Sequence, residues 1–143
     1  MMQTHPSDKP RIGITLGDLN GIGPEVVIKA LADHRLHNLM TPVIYGSTKA
    51  LSFYRKLMNL EEFNYNVVKT KGQFFPKAIN VVNCWEDMIE INPGQPSRQT
   101  AKAALLSLKK AVEEVKEGLI DGFVTGPIDK NTIHGEEFPF QGH

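Results

Sequence analysis

Short apolar, β-branched runs alternate along the chain with stretches whose apolar residues return every three or four positions, and glycine or proline stands where the pattern changes. Arg11 to Leu16 (RIGITL) is the first such run, and Gly17 directly after it predicts a buried strand ending in a turn. A helix should follow. Pro24 suits its first position, where a missing N–H and a fixed φ cost nothing, and Val26, Val27, Ala30 and Leu31 set an apolar stripe at helical spacing. The alternation then recurs, with Pro42 to Tyr45 as a strand, Gly46 and Ser47 as the turn, and Leu51, Tyr54, Leu57 and Met58 on one face of a helix. Tyr65 to Val68 and Ile79 to Val82 are two further strands, separated by a polar stretch containing Gly and Pro.

The segment Asn92 to Ser97 (NPGQPS) is too rich in turn formers for regular structure, and it leads into the strongest helical signal in the chain. Ala101, Ala104, Leu105, Leu108, Ala111, Val112 and Val115 recur at steps of three and four, while Lys109, Lys110, Glu113, Glu114, Lys116 and Glu117 fall largely on the opposite face. Gly118 should end this helix as a C′ glycine. A strand at Gly122 to Thr125, the pair Gly126 and Pro127, a helical turn through Ile133, and the segment Phe138 to His143 complete the pattern. Strands alternating with helices predict an α/β fold with a mostly parallel sheet and flanking helices.

Composition narrows the class without changing that picture. The 143 residues carry 16 Lys plus Arg against 16 Asp plus Glu, and a neutral balance lacks the basic footprint of a nucleic-acid binder. No run approaches the roughly 18 apolar residues that span a bilayer. A single cysteine, Cys84, has no partner for an internal disulfide and favours a cytoplasmic setting. Residues 1–10 are polar and read as a disordered lead-in.

In an open α/β sheet ligands bind beyond the carboxyl ends of the strands, so the turns after the strands are where chemistry is sought. Two of these share a design: in Leu16 to Glu25 (LGDLNGIGPE) and in Thr125 to Lys130 (TGPIDK) a strand runs into glycines and then a proline at a helix start. Glycines admit a ligand close to the backbone and a helix amino end offers free N–H groups, so both turns suit an anion such as a phosphate, with Lys130 as a mobile cation at the second. Ordinary turn and cap chemistry explains the same Gly and Pro pairs, and on residue chemistry alone both readings stand. Gly17, Gly21 and Gly23 do not have the spacing of a dinucleotide fingerprint, and no acid follows the second strand to hold a ribose. Asp18 is open to a metal or substrate role as well as to capping, whereas Glu25 reads as a partner of the helix dipole. His34 and His37 lie three apart on a solvated helix end without a third ligand, and His134 reads as a surface helix end, so no metal site is expected in this chain. Cys84, beside Trp85 and two acids, should have a raised thiol pKa and act as a small packed group.

The stretches RIGITLGDLNGIGPEVVIKAL and DGFVTGPIDKNTIHGEEFPFQGH resemble the amino-terminal half of the 4-hydroxythreonine-4-phosphate dehydrogenase family, and the helix entered through NPGQPSRQTAKAALLSL fits the same pattern. The likeness spans residues 11–143, and GIGPE at residues 21–25 is shared with isocitrate and isopropylmalate dehydrogenases. Leu19 departs from the family's usual Pro, and Asp129 from its Asn. The resemblance implies that residues 11–143 form the amino-terminal part of a two-domain α/β dehydrogenase of isocitrate/isopropylmalate dehydrogenase-like fold, with the chain truncated at His143 and inactive alone. It further implies an NAD-dependent oxidation and decarboxylation of 4-phosphooxy-L-threonine in pyridoxal phosphate biosynthesis, aided by a divalent metal (Zn, Mg or Co) whose ligands lie outside this chain. His143 then corresponds to a substrate-binding histidine, Asp18, Thr125, Gly126 and Lys130 fall near the catalytic cleft, and the full-length enzyme is a homodimer. The alternatives are an inactive module that binds a phosphorylated ligand, or a related dehydrogenase of another phosphorylated hydroxy acid.

Overall fold

The computed structural model describes residues 9–86, 89–95 and 97–126. Strands β1 (Arg11–Thr15), β2 (Thr41–Gly46), β3 (Asn66–Val67), β4 (Asn80–Asn83) and β5 (Gly122–Thr125) form one sheet in the order β3-β4-β2-β1-β5. Every pairing is parallel, as the alternating pattern requires. Between the strands lie helices α1 (Gly23–Leu31), α2 (Thr48–Leu57) and α3 (Arg98–Lys116), with a short 3₁₀ helix over His34–Asn38.

Period-two alternation divides the core between the two faces of the sheet. Ile14, Ile44 and Val81 stand side by side in register and pack with Val27, Ile28 and Leu31 of α1 and Leu51 and Tyr54 of α2. Val43, Tyr45 and Val82 point the other way, toward Ala111 and Val115 of α3. Each fully buried aliphatic side chain in these layers contributes roughly 1.5–3 kcal/mol of transfer free energy. The architecture is the expected α/β one, a parallel sheet with helices packed on its faces.

Several local expectations shift. β1 ends at Thr15, so Leu16 belongs to the following loop, where it is buried. On α1 the buried stripe is Pro24, Val27, Ile28 and Leu31, while Val26 and Ala30 face solvent. On α2 the buried residues are Ala50, Leu51 and Tyr54, and Leu57 is exposed. The strand expected over Tyr65 to Val68 is shorter, pairing with β4 at Asn66 and Val67, with the Val68 N–H donating to the Val81 carbonyl at 2.9 Å.

The largest departure is Glu114, expected on the solvated face of α3 and found 1% exposed. The Tyr45 hydroxyl donates to its Oε1 at 2.7 Å, and the Lys110 ammonium lies 3.8 Å from Oε2. A buried carboxylate is tolerated here because it is paired and hydrogen-bonded. Gly118 ends α3 as expected: with φ 77° it lets its own N–H reach the Val115 carbonyl at 3.0 Å and the Leu119 N–H reach that of Glu114 at 2.9 Å. The helical turn expected through Ile133, the segment Phe138 to His143, and residues 1–8 of the lead-in lie outside the described residues.

Candidate functional site

From β1 the chain passes through α1 to β2 on one side, and from β4 it crosses back through α3 to β5 on β1's other side. The connections therefore reverse direction between β1 and β5, and beyond the carboxyl ends of these strands lies the crevice where open α/β sheets take their ligands. Thr15 and Thr125 are register partners at that end. The Gly126 N–H donates to the Thr15 carbonyl at 2.9 Å, and a Cβ at Gly126 would fall 2.6 Å from the Leu16 carbonyl oxygen. Glycine is thus required at 126 by the approach of two backbones, not by turn geometry. Gly17, with φ 74°, turns the other strand out into its loop.

Asp18 follows and is 7% exposed. Its Oδ1 accepts the Asn20 N–H at 3.0 Å, and its carbonyl accepts the Gly21 N–H at 2.9 Å. The Tyr54 hydroxyl, from α2, donates to the Leu19 carbonyl and holds the loop from below. Burial, with the charges of Glu25 and Asp18 nearby, pushes the Tyr54 phenol up to about 12, so it remains a donor at neutral pH. Ser47 and Ser97 cap α2 and α3 through their side chains, whereas α1 starts at Ile22 without a side-chain cap, with Pro24 and Glu25 in its first turn.

The candidate residues Asp18, Thr125 and Gly126 are thereby brought to one end of the sheet, around the same pair of strands. Thr125 is exposed there and Gly126 half-buried. Lys130 and His143 lie outside the described residues. One residue that sequence reasoning passed over, Asn20, is 4% exposed and bonds both to this loop and to the turn ahead of α3. Asn before Gly signals a turn, but nothing local shows that its partners are 72 and 75 residues away.

Cys84 is packed beyond β4, where burial foremost drives its thiol up to about 12, against the smaller opposing pull of Ser107 and Lys110. It is no nucleophile at neutral pH. His34 and His37 stand at the opposite end of the sheet, with His37 Nε2 2.9 Å from the Leu31 carbonyl. Among the described residues no group of three His, Cys, Asp or Glu converges as a metal cage. β2 is followed by Ser47, which caps α2, so no acid stands where a dinucleotide fold would hold a ribose.

Among the described residues a cavity of about 660 Å³ opens at the amino ends of the strands beside His34, Phe63, Tyr65 and Phe75, while spaces of about 120 Å³ beside Leu19 and Trp85 and about 370 Å³ along Lys49 and Phe53 open where β2 enters α2. The larger space contains none of the residues gathered at the β1/β5 reversal. We favour the carboxyl end, because strand direction, the glycine contact and the buried Asp18 converge there.

Residues 38–143 match the family model of pyridoxal phosphate biosynthetic protein PdxA. The chain is 44% identical over 136 residues to 4-hydroxythreonine-4-phosphate dehydrogenase of Bacteroides thetaiotaomicron, a match covering 95% of this chain and 37% of the relative. A Clostridium botulinum protein that carries the provisional name D-threonate 4-phosphate dehydrogenase is 31% identical over 140 residues, covering 96% of this chain and 42% of that one. The chain thus spans about two fifths of the length of these relatives. A crystal structure of a 4-hydroxythreonine-4-phosphate dehydrogenase from Burkholderia phymatum superposes with a TM-score of 0.79 at 28% identity, over 95% of this chain and 42% of the other.

Proposed function

The chain belongs to the pyridoxal phosphate biosynthetic protein PdxA family, and from that premise we propose that the protein carrying it oxidises the secondary hydroxyl of 4-hydroxythreonine 4-phosphate with NAD. Bound NAD would supply the two-electron acceptor for turning that hydroxyl into a ketone, and the β-keto acid so formed would lose CO₂. The observation that carries this reading is the 44% identity to the Bacteroides enzyme across 95% of the chain. The gathering of Asp18, Thr125 and Gly126 at one strand-end crevice supports it, since that is where an α/β enzyme receives its substrate.

In this reading the chain forms the amino-terminal part of a two-domain, cytoplasmic, homodimeric enzyme. The loop Gly17 to Gly21 and the end of β5 form one wall of the substrate crevice, with Lys130 and His143 contributing to the phosphorylated substrate's binding. The reading includes a divalent ion (Zn, Mg or Co) as Lewis acid, and assigns none of the described residues to hold it or NAD.

The Clostridium relative favours a second substrate, D-threonate 4-phosphate. The two acids share the phosphate and differ at carbon 2, which bears an amino group in one and a hydroxyl in the other. Supplying the purified protein with NAD, a divalent ion and each acid separately decides between them. NADH formation with 4-hydroxythreonine 4-phosphate, at a kcat/KM at least about tenfold above that for D-threonate 4-phosphate, is expected. The reverse preference would install the second substrate. Binding of either acid without NADH formation would leave a ligand-binding module in place of an enzyme.

A further inference from the structure

We propose that Asn20 is a positioning residue that clamps the loop bearing Asp18 to the turn ahead of α3, so that the two strand-end loops hold the crevice as one unit. Its consequence for turnover rests on the function proposed above; the clamp itself does not. Asn20 is 4% exposed, and a buried amide is retained only where its hydrogen bonds are made. Its Oδ1 accepts the Asn92 N–H at 2.8 Å, its Nδ2 donates to the Gln95 carbonyl at 2.5 Å, and its own carbonyl accepts the Gly94 N–H at 2.6 Å. Its remaining group, the backbone N–H, donates to the Asp18 carboxylate at 3.0 Å.

The partner segment is itself preset. Asn92 to Gln95 closes with a Gln95 N–H to Asn92 carbonyl bond of 3.0 Å, with Pro93 second and Gly94 third at φ 84°, as a type II turn demands. Two residues on, Ser97 caps α3 by accepting the Thr100 N–H at 3.1 Å. α3 then crosses the sheet and leads to β5, whose end brings Gly126 against Thr15. Asn20 therefore joins the beginning of this path to the loop at its end. A hydrophobic residue of similar size would bury the same area and leave the Asn92 N–H and Gln95 carbonyl without these partners.

Loosening the clamp adds open loop conformations that substrate must close, and the apparent affinity falls by the fraction of molecules left competent. The test is Asn20→Ala and Asn20→Asp in the intact protein, read by amide exchange and by steady-state kinetics. For Asn20→Ala, exchange at Asn20, Gly21, Asn92 and Gly94 is expected to accelerate together by about tenfold or more, with the amides of Ile14 and Ile44 unchanged. KM for the phosphorylated acid should rise about tenfold while kcat stays within about twofold. Asn20→Asp keeps an acceptor for the Asn92 N–H but sets a buried carboxylate oxygen against the Gln95 carbonyl and near Asp18, so it should be at least as impaired as Asn20→Ala on both readouts. Wild-type exchange at both loops, or a kcat that falls with the folded fraction at constant KM, would overturn the clamp. Accelerated exchange at both loops, in a protein whose wild type oxidises neither acid, would uphold the clamp and remove the proposed function.

Discussion

A methyl group added at residue 126 would meet the Leu16 carbonyl oxygen at 2.6 Å, whereas one added at Gly122, at the start of the strand that ends just before it, meets nothing within 4 Å. Gly126→Ala is therefore expected to destabilise by about 1–3 kcal/mol and Gly122→Ala by less than about 0.5 kcal/mol, a difference that chemical denaturation resolves. Buried ionisable groups set the response to alkali. Burial holds the phenols of Tyr45 and Tyr54 and the thiol of Cys84 above their ordinary values, Tyr54 and Cys84 up to about 12. The folded state thus keeps protons that the unfolded chain releases from ordinary values of 9.0 and 10.0, so the contribution of these groups to stability should be present below about pH 9 and fall as pH rises toward 12. Urea midpoints across that range would show it, and Tyr54→Phe should make the fall shallower. At this scale the sequence was legible for the direction of the Cys84 shift but not for its cause, which is foremost burial. It was not legible for Glu114 or Asn20, whose partners Tyr45 and Asn92 lie 69 and 72 residues away.

The elements show where periodicity informs and where it stops. α3 is 19 residues long, enough turns to set its phase, and its buried line includes Ala101, Ala104, Leu105, Leu108 and Ala111 as read from spacing. α1 has 9 residues and α2 has 10, so one or two misread positions, Val26 and Ala30 or Leu57, shift the stripe. Packing against the sheet, absent from the local pattern, decides which neighbour turns inward. Helix ends follow local chemistry more closely. Ser97→Ala removes the acceptor for the Thr100 N–H and should cost about 1 kcal/mol, measurable as a lower melting temperature. Gly118→Ala places a side chain at φ 77° at the end of the same helix and should cost about 1 kcal/mol.

At the scale of the molecule, alternation of strands and helices announced a parallel sheet, but not the order β3-β4-β2-β1-β5, which depends on where each crossover lands. That order brings Gly126 against the glycine-bearing loop that follows β1, by setting β5 beside β1 on the side away from β2. It also separates the candidate site from the cavity of about 660 Å³ beside His34 and Phe75, which lies at the strands' other ends. In the function proposed above, a phosphorylated hydroxy acid binds where β1 and β5 end. Amide-exchange mapping with and without 4-hydroxythreonine 4-phosphate tests this most directly. Protection is expected at Gly17 to Gly21 and at Thr125 and Gly126, with the amides of His34, His37 and Phe75 unchanged. Protection confined to the cavity around His34, His37 and Phe75, or no protection at saturating ligand, would contradict it.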